Sequence, residues 1–507
     1  MAALSGILMT AGFPGWGFYP LAWVALAPLL LAIRQSPAGQ GFRIGWFAGL
    51  CHYLTLLYWL VFTMKTYGNL PLHLCVPLLF LLCAYLALYW GAFCALLNAL
   101  RPRPVHCLYL IPIFWTALEY LRAHLFSGFP WGLLGYSQHK ALYLIQIADV
   151  FGVWGVSFLV VFSNSALLIY LLHKSEKTWH GLDVSRLTAR FAVTLIILAA
   201  VATAGYGQWR IKALEHAAST APVSRISVIQ GNIDQAVKWD PAFQISTTKK
   251  YIDLSLSAAA EKPDLIVWPE TATPFYFQHG SWLAEMVKQA AAEMQTDLLI
   301  GSPSVEDGAD YFNSAYLVLP DGSSPGRYDK AHLVPFGEYV PLKRWLPFLG
   351  KMVEQVGDFK SGPRGSALRW REGAIGIQIC FEIIFPGLSR AMVQNNAEFL
   401  VNMTNDAWFE KTGAPYQHFS MAVLRAVENR RALVRAANTG ISGFIDPTGR
   451  VVIQSDLFQE AVLTRSIPRL KMQSVYTAAG DVLPLGCWLA TAVFCALGIY
   501  RKRYYNK

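Results

Sequence analysis

Long apolar runs fill positions 2–206 and return once near the C-terminus, while the stretch between them mixes short apolar runs with charged and turn residues. Runs long enough to cross, or nearly cross, a bilayer lie at about 2–13, 20–33, 44–63, 71–99, 105–122, 151–172, 190–206 and 483–500. They predict an α-helical transmembrane bundle of about eight spans. The first two runs are short and are joined by Pro14-Gly15-Trp16-Gly17-Phe18-Tyr19-Pro20, the pattern of a tight helical hairpin or a re-entrant segment. The first run lacks the basic flank and small-residue cleavage site of a signal peptide, so it is expected to be retained.

From about 210 to 475 the period changes. Short β-rich runs appear at Ile226–Ile229, Leu265–Trp268, Leu298–Ile300, Ala315–Leu319, Ile375–Ile379, Phe399–Met403 and Val434–Ala437. Helical patterns separate them, as in Ser281–Met294 and Ala414–Arg430. Strands alternating with helices predict an α/β domain large enough for its own core. The expected organisation is seven spans over 1–209, an α/β domain over 210–475, and a last span with a basic tail over 476–507.

Composition fits that division, since 54% of residues are hydrophobic and only 15% are charged, too apolar for an ordinary soluble protein. The formal net charge of +10 does not point to nucleic acid, because the basic residues form no stripe with interleaved aromatics. Many flank apolar runs instead: Arg34, Arg43, Arg101, Arg103, Lys174, Lys177, Arg186, Arg190 and the tail Arg501-Lys502-Arg503 fall on one side. The positive-inside rule makes that side cytoplasmic, with both termini inside and residues 210–475 outside. Glu119 and Asp149 lie near span ends, where water is expected to reach them.

Seven of the eight cysteines, Cys51, Cys75, Cys83, Cys94, Cys107, Cys487 and Cys495, fall in the long apolar runs, where cysteine behaves as a small hydrophobe. Cys380 alone lies in the α/β stretch, ending the strand pattern Gly376–Ile379 and followed by Phe381-Glu382. A thiol at a strand end with a carboxylate two residues on is a candidate nucleophile. Two further strand ends deliver reactive groups: Val267-Trp268-Pro269-Glu270-Thr271 and Tyr328-Asp329-Lys330-Ala331-His332. No metal spacing of His and Cys and no phosphate-cradling glycine motif occurs in this stretch.

Glutamate, lysine and cysteine in that chain order resemble the triad of the nitrilase superfamily. The words around them are more specific: Trp268-Pro269-Glu270-Thr271-Ala272, Lys330-Ala331-His332-Leu333-Val334-Pro335-Phe336-Gly337-Glu338-Tyr339-Val340-Pro341 and Cys380-Phe381-Glu382. Set between seven apolar runs and one, they make the whole chain resemble the apolipoprotein N-acyltransferases, the membrane-embedded, lipoprotein-processing branch of that superfamily. The resemblance implies an α-β-β-α sandwich facing the periplasm from the bacterial inner membrane. It also implies an enzyme that moves an acyl chain from a phospholipid, typically phosphatidylethanolamine, to the α-amino group of an S-diacylglyceryl cysteine on an apolipoprotein. No cofactor and no metal enter this chemistry, and a monomer is expected.

An ordinary thiol is only a few per cent thiolate near neutrality, so Cys380 needs a base and a nearby cation. Glu270 and Lys330 supply them, with the Phe381 backbone N–H as a second oxyanion donor. Among supporting residues, Glu338 either holds Lys330 or orients the amine, and Glu382 hydrogen-bonds near the lysine. Trp239 of Lys238-Trp239-Asp240 matches a position that the family implicates in its site. Family members commonly carry tyrosine where Phe381 stands, so no hydroxyl acts there. His332 reads as structural, and Asn402, Asn405 and Asp406 either line the pocket or form a turn. The apolar segment Trp345–Val353 is expected to be a lid at the lipid surface. The triad alone also fits a membrane-tethered amidase acting on a small amide, for which a single span would suffice.

Overall fold

The computed structural model describes residues 1–308, 310–340 and 359–505. The chain divides into two compact units, one comprising Met1–Ile211, Thr412–Ser420 and Ala479–Lys507, the other Lys212–Lys411 and Met421–Ala478.

Every apolar run of the first unit is helical, but length and composition separate them. Leu72–Leu100, Ala148–Lys174, Arg186–Thr220 and Val482–Tyr500 are long and apolar enough to cross a membrane. A fifth span results if Ala38–Leu56 and Leu60–Thr66, bent by 52° at their break, are taken as one. The expectation of eight spans therefore falls to four or five among the described residues. Ala2–Ala11 has 10 residues, about 15 Å of helix against a hydrocarbon core of about 30 Å. Pro104–His124 is long enough at 21 residues, but His106, Glu119, Arg122 and His124 dilute its apolar character.

Glu119 and Asp149 are buried rather than water-accessible, at 6% and 1% exposure. Glu119 accepts the Leu134 N–H at 2.7 Å, and Asp149 is held by Tyr206 at 2.7 Å and Arg210 at 2.6 Å. Close helix packing rests on small residues: a Cβ at Gly45 would lie 2.5 Å from the Trp90 carbonyl oxygen of the neighbouring helix.

The second unit carries twelve strands: β1 (Val223–Gln230), β2 (Leu265–Val267), β3 (Asp297–Glu306), β4 (Asp310–Val318), β5 (Gly326–Asp329), β6 (Leu368–Trp370), β7 (Gly373–Ile379), β8 (Ala397–Thr404), β9 (Leu433–Ala437), β10 (Gly443–Ile445), β11 (Val451–Gln454) and β12 (Ala461–Pro468). They form two six-stranded sheets, ordered β12-β1-β2-β3-β4-β5 and β11-β10-β9-β8-β7-β6. Each has a parallel centre, β1-β2-β3 in one and β7-β8-β9 in the other, flanked by antiparallel strands. The sheets face each other where β1 meets β9 and β4 meets β7. On the first sheet Tyr251 and Ala258 of helix Gln244–Ala259 and Ala284, Val287 and Ala291 of helix Trp282–Met294 share a core with Ile266, Leu298 and Ile300. Helix Pro386–Gln394 packs on β7 and β8. The layers run helix, sheet, sheet, helix, so the parallel strands are buried on both faces and read as apolar runs.

Candidate active site

β2 and β7 lie in different sheets, but their ends meet at one end of the sandwich, where Glu270, after β2, accepts the N–H of Asn405, which follows β8, the parallel neighbour of β7. Cys380 directly follows β7, is 8% exposed, and opens the short 3-10 turn Cys380–Ile384. Its φ of +53° is a left-handed conformation rare for a residue with a Cβ. Such strain persists only where the surroundings fix it. Glu382 does the fixing: it accepts the Ile379 N–H at 2.7 Å, the Ala331 N–H at 2.7 Å and the His332 N–H at 3.0 Å. The Tyr328 hydroxyl donates to the same carboxylate at 2.9 Å. Glu382 thereby ties the cysteine turn to the segment carrying Lys330. Burial pushes its carboxyl up to about 7, against the pull of these donors and of Lys330.

Glu270 follows β2 through Trp268 and Pro269. Trp268 anchors the turn, stacking on Tyr251 with centroids 5.1 Å apart and donating Nε1–H to Ser255 Oγ at 2.8 Å. The turn is possible because Gly301 of β3 has no side chain, since a Cβ there would sit 2.3 Å from the Pro269 carbonyl oxygen. Both carboxylate oxygens of Glu270 are occupied: Oε1 accepts from Asn313 Nδ2 at 2.8 Å and Oε2 from the Asn405 N–H at 2.9 Å.

Lys330 follows β5, and its backbone is fixed on both sides by Lys330 N–H to Asn313 O and Gly362 N–H to Lys330 O, each 2.9 Å. Its ammonium is 1% exposed and lies 2.9 Å from Glu338 Oε1 and 3.7 Å from Glu270 Oε1. Burial opposes the charge on Lys330, but Glu338 and then Glu270 outweigh it and raise the ammonium above its ordinary range. Glu338 is itself aimed by the Val334 N–H on Oε2 at 2.9 Å, and Asn313 Nδ2 bridges from Glu270 to Glu338 Oε1 at 3.0 Å.

The Cys380 thiol is pushed up by burial and by the Glu270 charge, with Lys330 pulling the other way. Cys380 therefore sits with the Glu270 carboxyl group, held by two donors, and the Lys330 ammonium, held by Glu338. Groups of these kinds brought together can pass a proton from sulfur to a carboxylate and set positive charge beside a developing oxyanion.

Glu270, Lys330, Glu338 and Cys380 thus converge, with Glu382 bracing the backbone beneath. Phe381 packs its ring toward Phe385, centroids 5.4 Å apart. Trp239 stands 49% exposed. His332 lies against Phe385 with centroids 3.8 Å apart, and burial brings it down to about 4, so it stays neutral at physiological pH. The segment Trp345–Val353, expected to be a lid, lies outside the described residues.

Two side chains carry roles that their place in the sequence does not announce. Asn313 lies in β4 and orders both carboxylates; its only sequence signal is a polar pair, Asn313-Ser314, entering an apolar strand. Lys238 is 2% exposed and donates to the Glu270 carbonyl at 3.1 Å and to Thr271 Oγ1 at 2.7 Å. Its signal is overshadowed by the tryptophan beside it. Among the described residues no group of three or more His, Cys, Asp or Glu is arranged to hold a metal ion.

Comparison with known proteins places residues 5–166 in the family described as the apolipoprotein N-acyltransferase N-terminal domain, and residues 225–477 in the carbon-nitrogen hydrolase family. The apolipoprotein N-acyltransferase of Geobacter metallireducens is 45% identical over 100% of this chain and 96% of its own. That of Chlorobaculum tepidum is 31% identical over 99% of this chain and 96% of its own. Among solved structures, an amidase of the nitrilase superfamily from Nesterenkonia is 17% identical over 52% of this chain and 97% of its own, with a TM-score of 0.40.

Proposed function

The chain belongs to the apolipoprotein N-acyltransferase family, and from that premise we propose that it acylates S-diacylglyceryl apolipoproteins through a thioester on Cys380. The observation that carries this reading is the buried meeting of a strand-end thiol with Glu270 and Lys330. The donor is a membrane glycerophospholipid, phosphatidylethanolamine first among them, and the acceptor is the N-terminal α-amino group of the lipidated cysteine. The enzyme acts as a monomer, with no cofactor, at the periplasmic face of the inner membrane, both termini lying in the cytoplasm. The basic residues flanking the cytoplasmic ends of the apolar helices support that orientation.

In the first half-reaction the Glu270 carboxylate takes the Cys380 proton as Sγ attacks the ester carbonyl. Lys330 and the Phe381 N–H stabilise the oxyanion. Collapse breaks the ester C–O bond, Glu270 returns its proton to the departing lysophospholipid oxygen, and the acyl chain remains on sulfur. In the second, the incoming ammonium releases one proton to water, the amine attacks the thioester carbonyl while giving a second proton to Glu270, and the C–S bond breaks. The thiolate regains its proton from Glu270. Thioester to amide is downhill, so transfer to nitrogen is favoured. Two donors on Glu270, from Asn313 and Asn405, fit a base that must return to one position after each transfer.

Incubation with phospholipid labelled in its acyl chain, and no acceptor, should leave one acyl group on Cys380. A diacylglyceryl peptide should then discharge it as N-acyl peptide. Cys380→Ala should give neither. Label retained by that variant would sink the reading, and release of free acid in place of N-acyl peptide would turn it toward an amidase.

A further inference from the structure

Lys238 is a buried cation in contact with the Glu270 turn to which the two half-reactions assign no task. It sits between β1 and helix Gln244–Ala259, and at 2% exposure it is withdrawn from water. Its ammonium grips the turn that presents the base, through the carbonyl of Glu270 and the hydroxyl of Thr271. Thr271 has a φ of +46°, so the lysine reaches the one residue of that turn held in left-handed backbone. A buried lysine is unfavourable unless its charge is matched, and hydrogen bonds to neutral oxygens do not match it.

The charges that face the thiol do. Lys330 stands between two carboxylates, 2.9 Å from Glu338 and 3.7 Å from Glu270. Asp406 also acts on the thiol, and the Thr404 hydroxyl hydrogen-bonds to it. The Asp406 charge is matched by Arg435 at 2.8 Å, both side chains fully buried. Glu382 is taken up by backbone N–H groups and the Tyr328 hydroxyl. Glu270, Glu338 and Lys330 together therefore carry one negative charge in excess. Lys238 cancels it, and the charges of Glu270 and a Cys380 thiolate both act on Lys238.

We propose that Lys238 is a positioning residue whose charge holds the Cys380 sulfur toward thiolate while its hydrogen bonds fix the Glu270 turn. The proposal rests on Cys380 as the nucleophile. Burial draws the Lys238 ammonium down to about 8, partly offset by Glu270 and Cys380, so it remains mostly charged at neutral pH and sheds its proton as pH rises past that value.

The rate at which iodoacetamide alkylates Cys380, followed by peptide mass spectrometry on the full-length protein at about pH 7, where Lys238 keeps its proton, reads the thiolate fraction directly. Removing a cation from a thiolate's surroundings raises its pKa by about one unit or more, so Lys238→Met should alkylate about tenfold or more slowly. Lys238→Arg, which keeps the charge, should recover most of that loss. Equal rates in Lys238→Met and wild type would overturn the proposal. So would Lys238→Arg being as slow as Lys238→Met, because shape and not charge would then be responsible. If Lys238→Met is not recovered folded, Lys238→Gln carries the same comparison. Acyl label on a residue other than Cys380 would sink the nucleophile assignment instead, whereas an unshifted Lys238→Met rate with label on Cys380 sinks the Lys238 proposal alone.

Discussion

Replacing Glu338 with glutamine asks which carboxylate holds Lys330 for the reaction. The ammonium is 2.9 Å from Glu338 and 3.7 Å from Glu270. At an effective dielectric of about 20 those separations correspond to gross attractions of roughly 6 and 4.5 kcal/mol. The side chains are only 1%, 12% and 8% exposed, so bulk water screens little of this. Glutamine keeps the shape and one acceptor oxygen, so part of the attraction to residue 338 survives as a neutral hydrogen bond. Loss of the rest leaves Lys330 with Glu270 as its nearest counter-ion and draws the ammonium toward the carboxylate proposed to accept the thiol proton. Truncating one partner of a buried pair typically loses about 3–5 kcal/mol. If about 3–4 kcal/mol of that enters the acylation barrier, thioester formation slows by about 10²–10³. Single-turnover acylation with a fluorescent-acyl phospholipid, quenched in acid and resolved by gel, measures the step without the acceptor. A Glu338→Gln protein that acylates within about threefold of wild type would refute the idea that Glu338 keeps Lys330 off the base.

Asn313→Ala removes the donor shared by Glu270 and Glu338 and should slow the same acylation step about 10–100-fold, given net values of about 1.5–3 kcal/mol for hydrogen bonds to charged groups. Asn313→Asp, which adds a third carboxylate beside them, should slow it further; an aspartate variant faster than the alanine one would count against the network. Gly301→Ala drives a methyl into the Pro269 carbonyl and should lower stability by about 1–3 kcal/mol, read from chemical denaturation together with lost acylation. An unchanged unfolding curve would show that the Glu270 turn has slack. His332 is held neutral in the fold down to about 4 against an ordinary 6.5, so the unfolded chain takes up its proton first as pH falls. The stability this residue contributes is complete above pH 6.5 and is lost toward pH 4, by up to roughly 3 kcal/mol. His332→Gln should flatten the melting-temperature profile over that window, and an equally steep profile would remove His332 as its source.

What the sequence made visible follows from which surfaces each element buries. β1, β2, β3, β7, β8 and β9 form the parallel centres, buried on both faces, and each shows as a short apolar run. β12 buries only Thr464 and Ile467 and shows neither a continuous apolar run nor an alternation, so only its pairing with β1, from Val223 opposite Pro468 to Gln230 opposite Ala461, reveals it as a strand. Helix Gln244–Ala259 buries Thr247, Thr248, Tyr251, Ser255 and Ala258, a face too polar to raise a hydropathy signal. The membrane count failed for a different reason. Ala2–Ala11 and Tyr19–Ile33 are too short for the width of a bilayer, and charged and histidine side chains dilute Pro104–His124.

At the site, the three residues that end strands were legible because a reactive side chain after an apolar run is conspicuous. Their partners were not, because what makes them matter is distance across the fold. Asn313 acquires a role only from Glu270, 43 positions earlier, and Lys238 only from the turn 32 positions later. In Lys238-Trp239 the tryptophan attracts attention as a large apolar residue on a soluble domain, yet it is the one left 49% exposed. The lysine is the one buried, the reverse of what residue type alone leads one to expect. Single-residue expectation fails here because burial of a charge is stabilised only by partners brought near it, and Glu270 and Cys380, the groups that act on Lys238, follow β2 and β7, which meet only in the folded sandwich. A lysine inside such a pocket carries more information about the chemistry than the exposed ring beside it, since the fold retains it against its hydration.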